Sequence, residues 1–149
     1  MKTFLIRAFA TGLLAVGLGG AAQAAVTPDK LDGTKLVSAE QVRDLIGKGV
    51  PVVDTRVAAE YAEKTIKGAI SVPYKEKSSK DASFDAKLDN FDLGKLPTDK
   101  NAPLVLFCNA GECWKSYKAA VVARNAGYKQ VYWFRGGMPE WTGKGLPTQ

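Results

Sequence analysis

Two cysteines, Cys108 and Cys113, are the side chains of this 149-residue chain that are best suited to chemistry. The chain contains no histidine, which excludes Ser-His-Asp catalysis, Cys-His catalysis and every zinc site that needs histidine. A cysteine nucleophile must therefore be activated in another way. Two cysteines are also too few for a disulfide scaffold.

Cys108 directly follows an apolar run, residues 104–107, that predicts a buried strand. Beyond it, segment 116–126 predicts a helix closed by Gly127. The order strand, cysteine, loop and helix places the sulfur near loop N–H groups and the positive end of a helix dipole, which stabilise a thiolate and bind an oxyanion. Lys115 adds a positive charge for an anionic donor. Alternatively, Cys108 is a small buried hydrophobe.

The remaining elements predict an α/β fold. Ser38 and Gln41 form a capping box for a helix that ends near Gly47. Residues 50–54 predict a buried strand that ends at Asp54, residues 58–63 a helical turn or two, and residues 68–73 and 131–134 two more strands. This alternation predicts a small, mostly parallel sheet flanked by helices on both faces. In such a sheet the working site lies at the carboxyl ends of the strands.

Segment 75–102 has no clear periodicity, and we expect an irregular excursion without chemistry. Its apolar side chains should attach it to the core. These side chains are Phe84, Leu88, Phe91, Leu93 and Leu96.

Residues 1–24 predict a secretory signal peptide with cleavage near Ala24. They combine a basic start at Lys2 and Arg7, an apolar stretch and a small-x-small cleavage site. A membrane anchor is the alternative, but a spanning helix needs about 20 apolar residues. We therefore expect residues 25–149 to form a single domain in the periplasm or an equivalent exported space, where disulfides persist.

The charge pattern argues against several partners. The net charge is +6, but acidic and basic residues alternate along the chain, whereas nucleic-acid binding needs a basic face. No metal site, no cofactor motif and no Gly-rich phosphate loop is recognisable in the expected mature chain. We expect no nucleic-acid partner, and no membrane contact once the signal peptide is removed.

Five segments in order resemble the rhodanese-like sulfurtransferase family across residues 37–147. The first contains Asp54 and Arg56 at a strand end, followed by a Glu-Tyr pair. Thr65 and Lys67 depart from the family pattern, which usually has histidine and proline there. The matching segments are residues 52–61, 66–70, 104–108, 127–132 and 136–147.

The resemblance implies a two-step sulfur transfer through Cys108. Its thiolate would attack the outer sulfur of an anionic, thiosulfate-like donor, hold that sulfur as a persulfide, and pass it to a thiol or cyanide acceptor. A protein partner in sulfur transfer is a further expectation. Asp54 and Arg56 would support the site as an ion pair. The substrate-binding loop would comprise Asn109, Ala110, Gly111, Glu112, Cys113, Trp114, Lys115 and Ser116.

The predicted loop departs from the family pattern. Active members usually place an Arg and then a Ser or Thr at the sixth position after the cysteine, whereas Ser116 is eight positions on. Lys115 stands in place of the Arg and offers a point charge instead of a bidentate fork. The longer CxxxxCW loop makes a wider cradle, which puts thiosulfate itself in question. A phosphatase is disfavoured because its phosphoryl site relies on a forked Arg.

Three roles are open for Cys113. It would resolve the Cys108 persulfide, protect the thiol, or form a redox-active disulfide with Cys108. Alternatively, Cys113 and Trp114 only pack beneath the loop. The candidates are accordingly a sulfurtransferase, a thiol-disulfide redox protein, and a non-catalytic sulfur carrier or binding module.

Overall fold

The computed structural model describes residues 25–149. The predicted signal peptide at residues 1–24 lies outside this described part of the chain.

A five-stranded, wholly parallel sheet organises the described residues. The strands are β1 (Lys35–Leu36), β2 (Val52–Asp54), β3 (Ile70–Ser71), β4 (Pro103–Phe107) and β5 (Gln130–Phe134). Their spatial order is β1-β5-β4-β2-β3, so β4 lies at the centre. The sheet confirms the predicted parallel α/β fold.

Helices cover both faces of the sheet. Alternate side chains of β4 point to opposite faces: Val105 and Phe107 join the core beneath α1 (Ala39–Gly47) and α4 (Gly137–Gly143), whereas Leu104 and Leu106 pack under α3 (Trp114–Asn125). The short helix α2 (Ala58–Glu63) follows β2. Because both faces are covered, β4 is apolar along most of its length.

The capping box predicted for α1 is confirmed. Ser38 Oγ accepts a hydrogen bond from the N–H of Gln41 at 3.3 Å, and the Gln41 side chain accepts one from the N–H of Ser38 at 2.9 Å. These reciprocal bonds satisfy two N–H groups at the helix start.

Some predicted boundaries are wrong. Helix α3 begins at Trp114, two residues before the predicted start, because Cys113 acts as its N-cap. Trp114 and Lys115 therefore lie in the first helical turn instead of the loop. Strand β2 begins at Val52, two residues after the predicted start.

Segment 75–102 is irregular, as predicted, and contains two short 3₁₀ helices, Ala86–Leu88 and Leu93–Lys95. Leu96 is buried, and Phe84, Phe91 and Leu93 pack against the core. The prediction is wrong for Leu88, which is 56% exposed because its 3₁₀ turn lies on the surface.

Asp89 holds the start of this segment together. Its carboxylate accepts hydrogen bonds from the Tyr74 hydroxyl, the Ser78 hydroxyl, and the N–H groups of Lys77 and Ser78, at 2.6–2.7 Å. Burial alone would raise the pKa of Asp89, but these hydrogen bonds outweigh it and lower the pKa from 3.8 to about 2. The charged form therefore stabilises the fold.

The substitution Asp89→Asn is expected to lower the free energy of unfolding by about 1–2 kcal/mol at neutral pH, after allowance for partial solvent screening. Because the folded-state pKa is depressed, the difference from wild type persists above pH 3.8 and disappears as pH falls to about 2. Urea denaturation across pH measures it. Asp92→Asn is the control, since Asp92 is exposed and caps a neighbouring turn. Equal losses in both variants would contradict the role of Asp89.

Candidate functional site

Cys108 lies at the carboxyl end of the central strand β4 and is fully buried. Asp54 at the end of β2 pairs with Phe107, so both strand ends meet at the same edge of the sheet. The Cys108 carbonyl accepts a hydrogen bond from the N–H of Met138 at 3.0 Å. Gly137 has φ +55°, and a Cβ there would collide with this carbonyl. The start of α4 therefore fixes the Cys108 backbone.

Cys108 and Cys113 form a disulfide across the loop. Their Cα atoms are 6.4 Å apart, within the range that a disulfide spans. The N–H of Cys113 donates to the carbonyl of Ala110 at 3.0 Å, which turns the chain back toward Cys108. Cys113 is partly exposed, unlike Cys108. The structure therefore shows Cys113 bonded to Cys108 and not only packed beneath the loop.

Ser116 places a buried hydroxyl beside the Cys108 sulfur. Its Oγ lies 3.4 Å from Cys108 Sγ and accepts a hydrogen bond from Trp133 Nε1 at 3.1 Å. A hydroxyl that accepts from one side can donate from its own hydrogen toward the other. The geometry therefore allows the Ser116 hydroxyl to donate toward the sulfur.

Trp133 is a core aromatic that also contacts the site. It is 1% exposed and packs edge-to-face on Tyr117, but it also orients Ser116. The sequence offers one signal for this contact: a buried indole N–H needs a hydrogen-bond partner.

Lys115 is not the isolated positive charge that the sequence predicts. Its Nζ is 3.9 Å from Glu76 Oε1. The other oxygen of this carboxylate, Glu76 Oε2, is 2.8 Å from Lys118 Nζ. This second contact is an ion pair without the alignment of a hydrogen bond. Lys118 is fully buried and donates to the Ser78 hydroxyl at 2.8 Å. Glu76 therefore offsets part of the positive charge near the loop. A surface cavity of about 380 Å³ lies here, lined in part by Lys115, Glu76 and Tyr74.

Asp54 and Arg56 form a buried ion pair, with Arg56 Nη2 2.8 Å from Asp54 Oδ2. Asp54 also accepts from the Thr65 hydroxyl at 2.8 Å, and Arg56 donates to the Lys64 carbonyl at 2.6 Å. These contacts join the end of β2 to the residues that follow α2.

Glu60 connects this ion pair to the loop. Its Oε1 accepts a hydrogen bond from Asn109 Nδ2 at 2.7 Å and lies 3.9 Å from Arg56 Nη1. The first loop residue is thus attached to the end of β2. The contact of Glu60 with Asn109 was not predicted, because the two residues are far apart in the sequence.

The first described residues cover the other end of the loop. The N–H and hydroxyl of Thr27 both donate to the Gly111 carbonyl at 2.8 Å, and Trp114 Nε1 donates to the Ala25 carbonyl at 2.6 Å. Arg135 in turn donates to the Thr27 carbonyl at 2.8 Å. The residues just after the predicted cleavage point therefore hold the loop in place. Sequence reasoning assigned them no role.

Within residues 25–149 no cluster of side chains fits a metal ion. No helix in that range is long and apolar enough to cross a membrane.

Comparisons with known proteins place this architecture. A family model described as Rhodanese-like domain matches residues 38–144. A human single-domain sulfurtransferase is 27% identical, with a TM-score of 0.54, and the match covers 74% of this chain and 97% of that one. No curated protein matches the chain.

Two bacterial structures share the fold at lower identity. The polysulfide-sulfur transferase homodimer of Wolinella succinogenes is 22% identical with a TM-score of 0.58, and the match covers 78% of this chain and 79% of that one. A Bacillus halodurans protein has the same identity and TM-score, with coverage of 78% and 77%.

The substitution Gly137→Ala should destabilise the protein by more than about 1 kcal/mol, because φ is positive and the added methyl group meets the Cys108 carbonyl. Gly143→Ala in the same helix is the matched control, since its Cβ meets nothing within 4 Å. Thermal unfolding of both variants measures the difference. Equal melting temperatures would show that Gly137 does not constrain Cys108.

Proposed function

The chain belongs to the rhodanese-like domain family, and from that premise we propose that it transfers a sulfane sulfur through a persulfide on Cys108. One observation carries the proposal. The Cys108 sulfur lies at the carboxyl end of the central parallel strand and 3.4 Å from a buried hydroxyl, and residues 109–113 connect it to a twelve-residue helix. This is where parallel sheets position their reacting groups.

In the first step the Cys108 thiolate attacks the outer sulfur of a thiosulfate-like anion. The sulfur–sulfur bond of the donor breaks, sulfite leaves with the electron pair, and Cys108 retains the outer sulfur as a persulfide. In the second step a thiol or cyanide acceptor attacks that outer sulfur and restores the thiolate.

Charge on the sulfur is stabilised without histidine. The positive end of the α3 dipole lies at the end of the loop, and the Ser116 hydroxyl is placed to donate toward a Cys108 thiolate. Lys115 attracts the anionic donor, although Glu76 offsets part of its charge. A small anionic sulfur compound is therefore the proposed donor class.

The disulfide favours a second candidate function, thiol-disulfide exchange with a partner protein. In that case Cys108 and Cys113 cycle between dithiol and disulfide, and two electrons pass to or from the partner. A non-catalytic sulfur carrier remains the alternative outside enzymology. It would take up sulfur on Cys108 and release none to small acceptors.

We also propose that the protein works in an exported compartment, the bacterial periplasm or an equivalent space. The sequence of residues 1–24 supports export. A disulfide between the only two cysteines agrees with an oxidising environment.

The protein is first reduced, freed of reductant and exposed to thiosulfate. Sulfite release is followed, and intact mass is measured within the first turnover. Wild type should gain about one sulfur atom. Cys108→Ser should gain none. Wild type that keeps its disulfide should also gain none, because Cys108 has no free thiolate. A reduced wild type that releases no sulfite and never carries the extra sulfur would contradict sulfur transfer and favour the redox function.

A further inference from the structure

We propose that Cys113 resolves the Cys108 persulfide and releases its outer sulfur as sulfide, so that the site reduces sulfane sulfur as well as carrying it. This inference rests on the persulfide proposed above for Cys108. It assigns a further activity, sulfide release, to the bonded cysteine pair. The observation behind it is that the structure already contains the product of the resolving step.

The loop brings the two sulfurs together without a change in the fold. The residues are five apart, and the turn between Ala110 and Cys113 returns the chain to Cys108. Asn109 and Gly111 attach the loop to Glu60 and Thr27. A persulfide on Cys108 would therefore face a thiol held at a high effective concentration.

Enclosure of Cys108 favours attack from within the protein. The cysteine is fully buried, and its Sγ lies 3.4 Å from the Asn109 carbonyl, the Cys113 carbonyl and the Ser116 hydroxyl. An external acceptor has to reach this buried sulfur from solvent, whereas the structure already places the Cys113 sulfur in contact with it. Internal resolution should therefore outpace transfer to a bulky external thiol.

The resolving step balances in atoms and electrons. The Cys113 thiolate attacks the Cys108 Sγ of the persulfide, and a bond forms between the two Sγ atoms. The bond from Cys108 Sγ to the outer sulfur breaks, and that sulfur leaves as hydrosulfide with the electron pair and with the proton that the Cys113 thiol gave up on becoming a thiolate. The two cysteines are oxidised by two electrons, and the sulfane sulfur is reduced to sulfide.

An external dithiol must then return the disulfide to the dithiol, and it becomes oxidised to its own disulfide. Cys113 is the accessible sulfur for this attack, because it is partly exposed and Cys108 is buried. Cys108 then leaves as a thiolate beside Ser116 and the start of α3. Over one cycle, a thiosulfate donor and a dithiol yield sulfite, sulfide and a disulfide.

A single-turnover experiment tests the proposal. Wild type, Cys113→Ser and Cys113→Ala are reduced, freed of reductant and mixed with thiosulfate, and sulfite, sulfide and intact mass are followed. Wild type should release sulfide in amounts equal to sulfite and become lighter by two hydrogens as the disulfide forms. Both Cys113 variants should keep the added sulfur and release sulfide at least about tenfold more slowly.

The outcomes separate the two proposals. If wild type and the Cys113 variants keep the persulfide equally well, the inference falls and sulfur transfer stands. If none of them takes up sulfur or releases sulfite, both proposals fall. If the variants fail to fold, wild type alone decides: persulfide that persists without sulfide release or disulfide formation overturns the inference.

Discussion

Burial of the central strand β4 is the constraint on which the site depends. Leu104, Val105, Leu106 and Phe107 are all inaccessible to solvent because α3 covers one face of the sheet and α1 and α4 cover the other. The strand ends at Phe107, and Cys108, the next residue, is buried as well. The Cys108 carbonyl contacts the start of α4, and its sulfur is bonded to Cys113 at the start of α3.

The absence of histidine determines what surrounds that sulfur. Its neighbours are a hydroxyl oriented by an indole N–H, a second sulfur and the first turn of a helix. None of these groups is an imidazole, so the hydroxyl and the helix dipole are what could stabilise a Cys108 thiolate. Cys113 places a second sulfur on the same loop.

Features with local causes could be predicted from sequence. The capping box at Ser38 predicts α1 because both of its bonds lie within one helical turn, and the apolar run before Cys108 predicts β4. The start of α3 could not be placed, since Cys113 caps the helix through its backbone and makes no side-chain capping bond. The contacts of Ser116 with Trp133, of Lys115 with Glu76 and of Gly111 with Thr27 join distant segments, and no short motif encodes them.

The disulfide is tested most directly by a count of free thiols in the protein produced from its full sequence and purified without reductant. Alkylation under denaturing conditions, followed by mass spectrometry, separates bonding from burial. Neither Cys108 nor Cys113 should be alkylated before reduction, and both should be alkylated after reduction with dithiothreitol. Alkylation of both cysteines before reduction would contradict the disulfide and, with it, the central place of the cysteine pair.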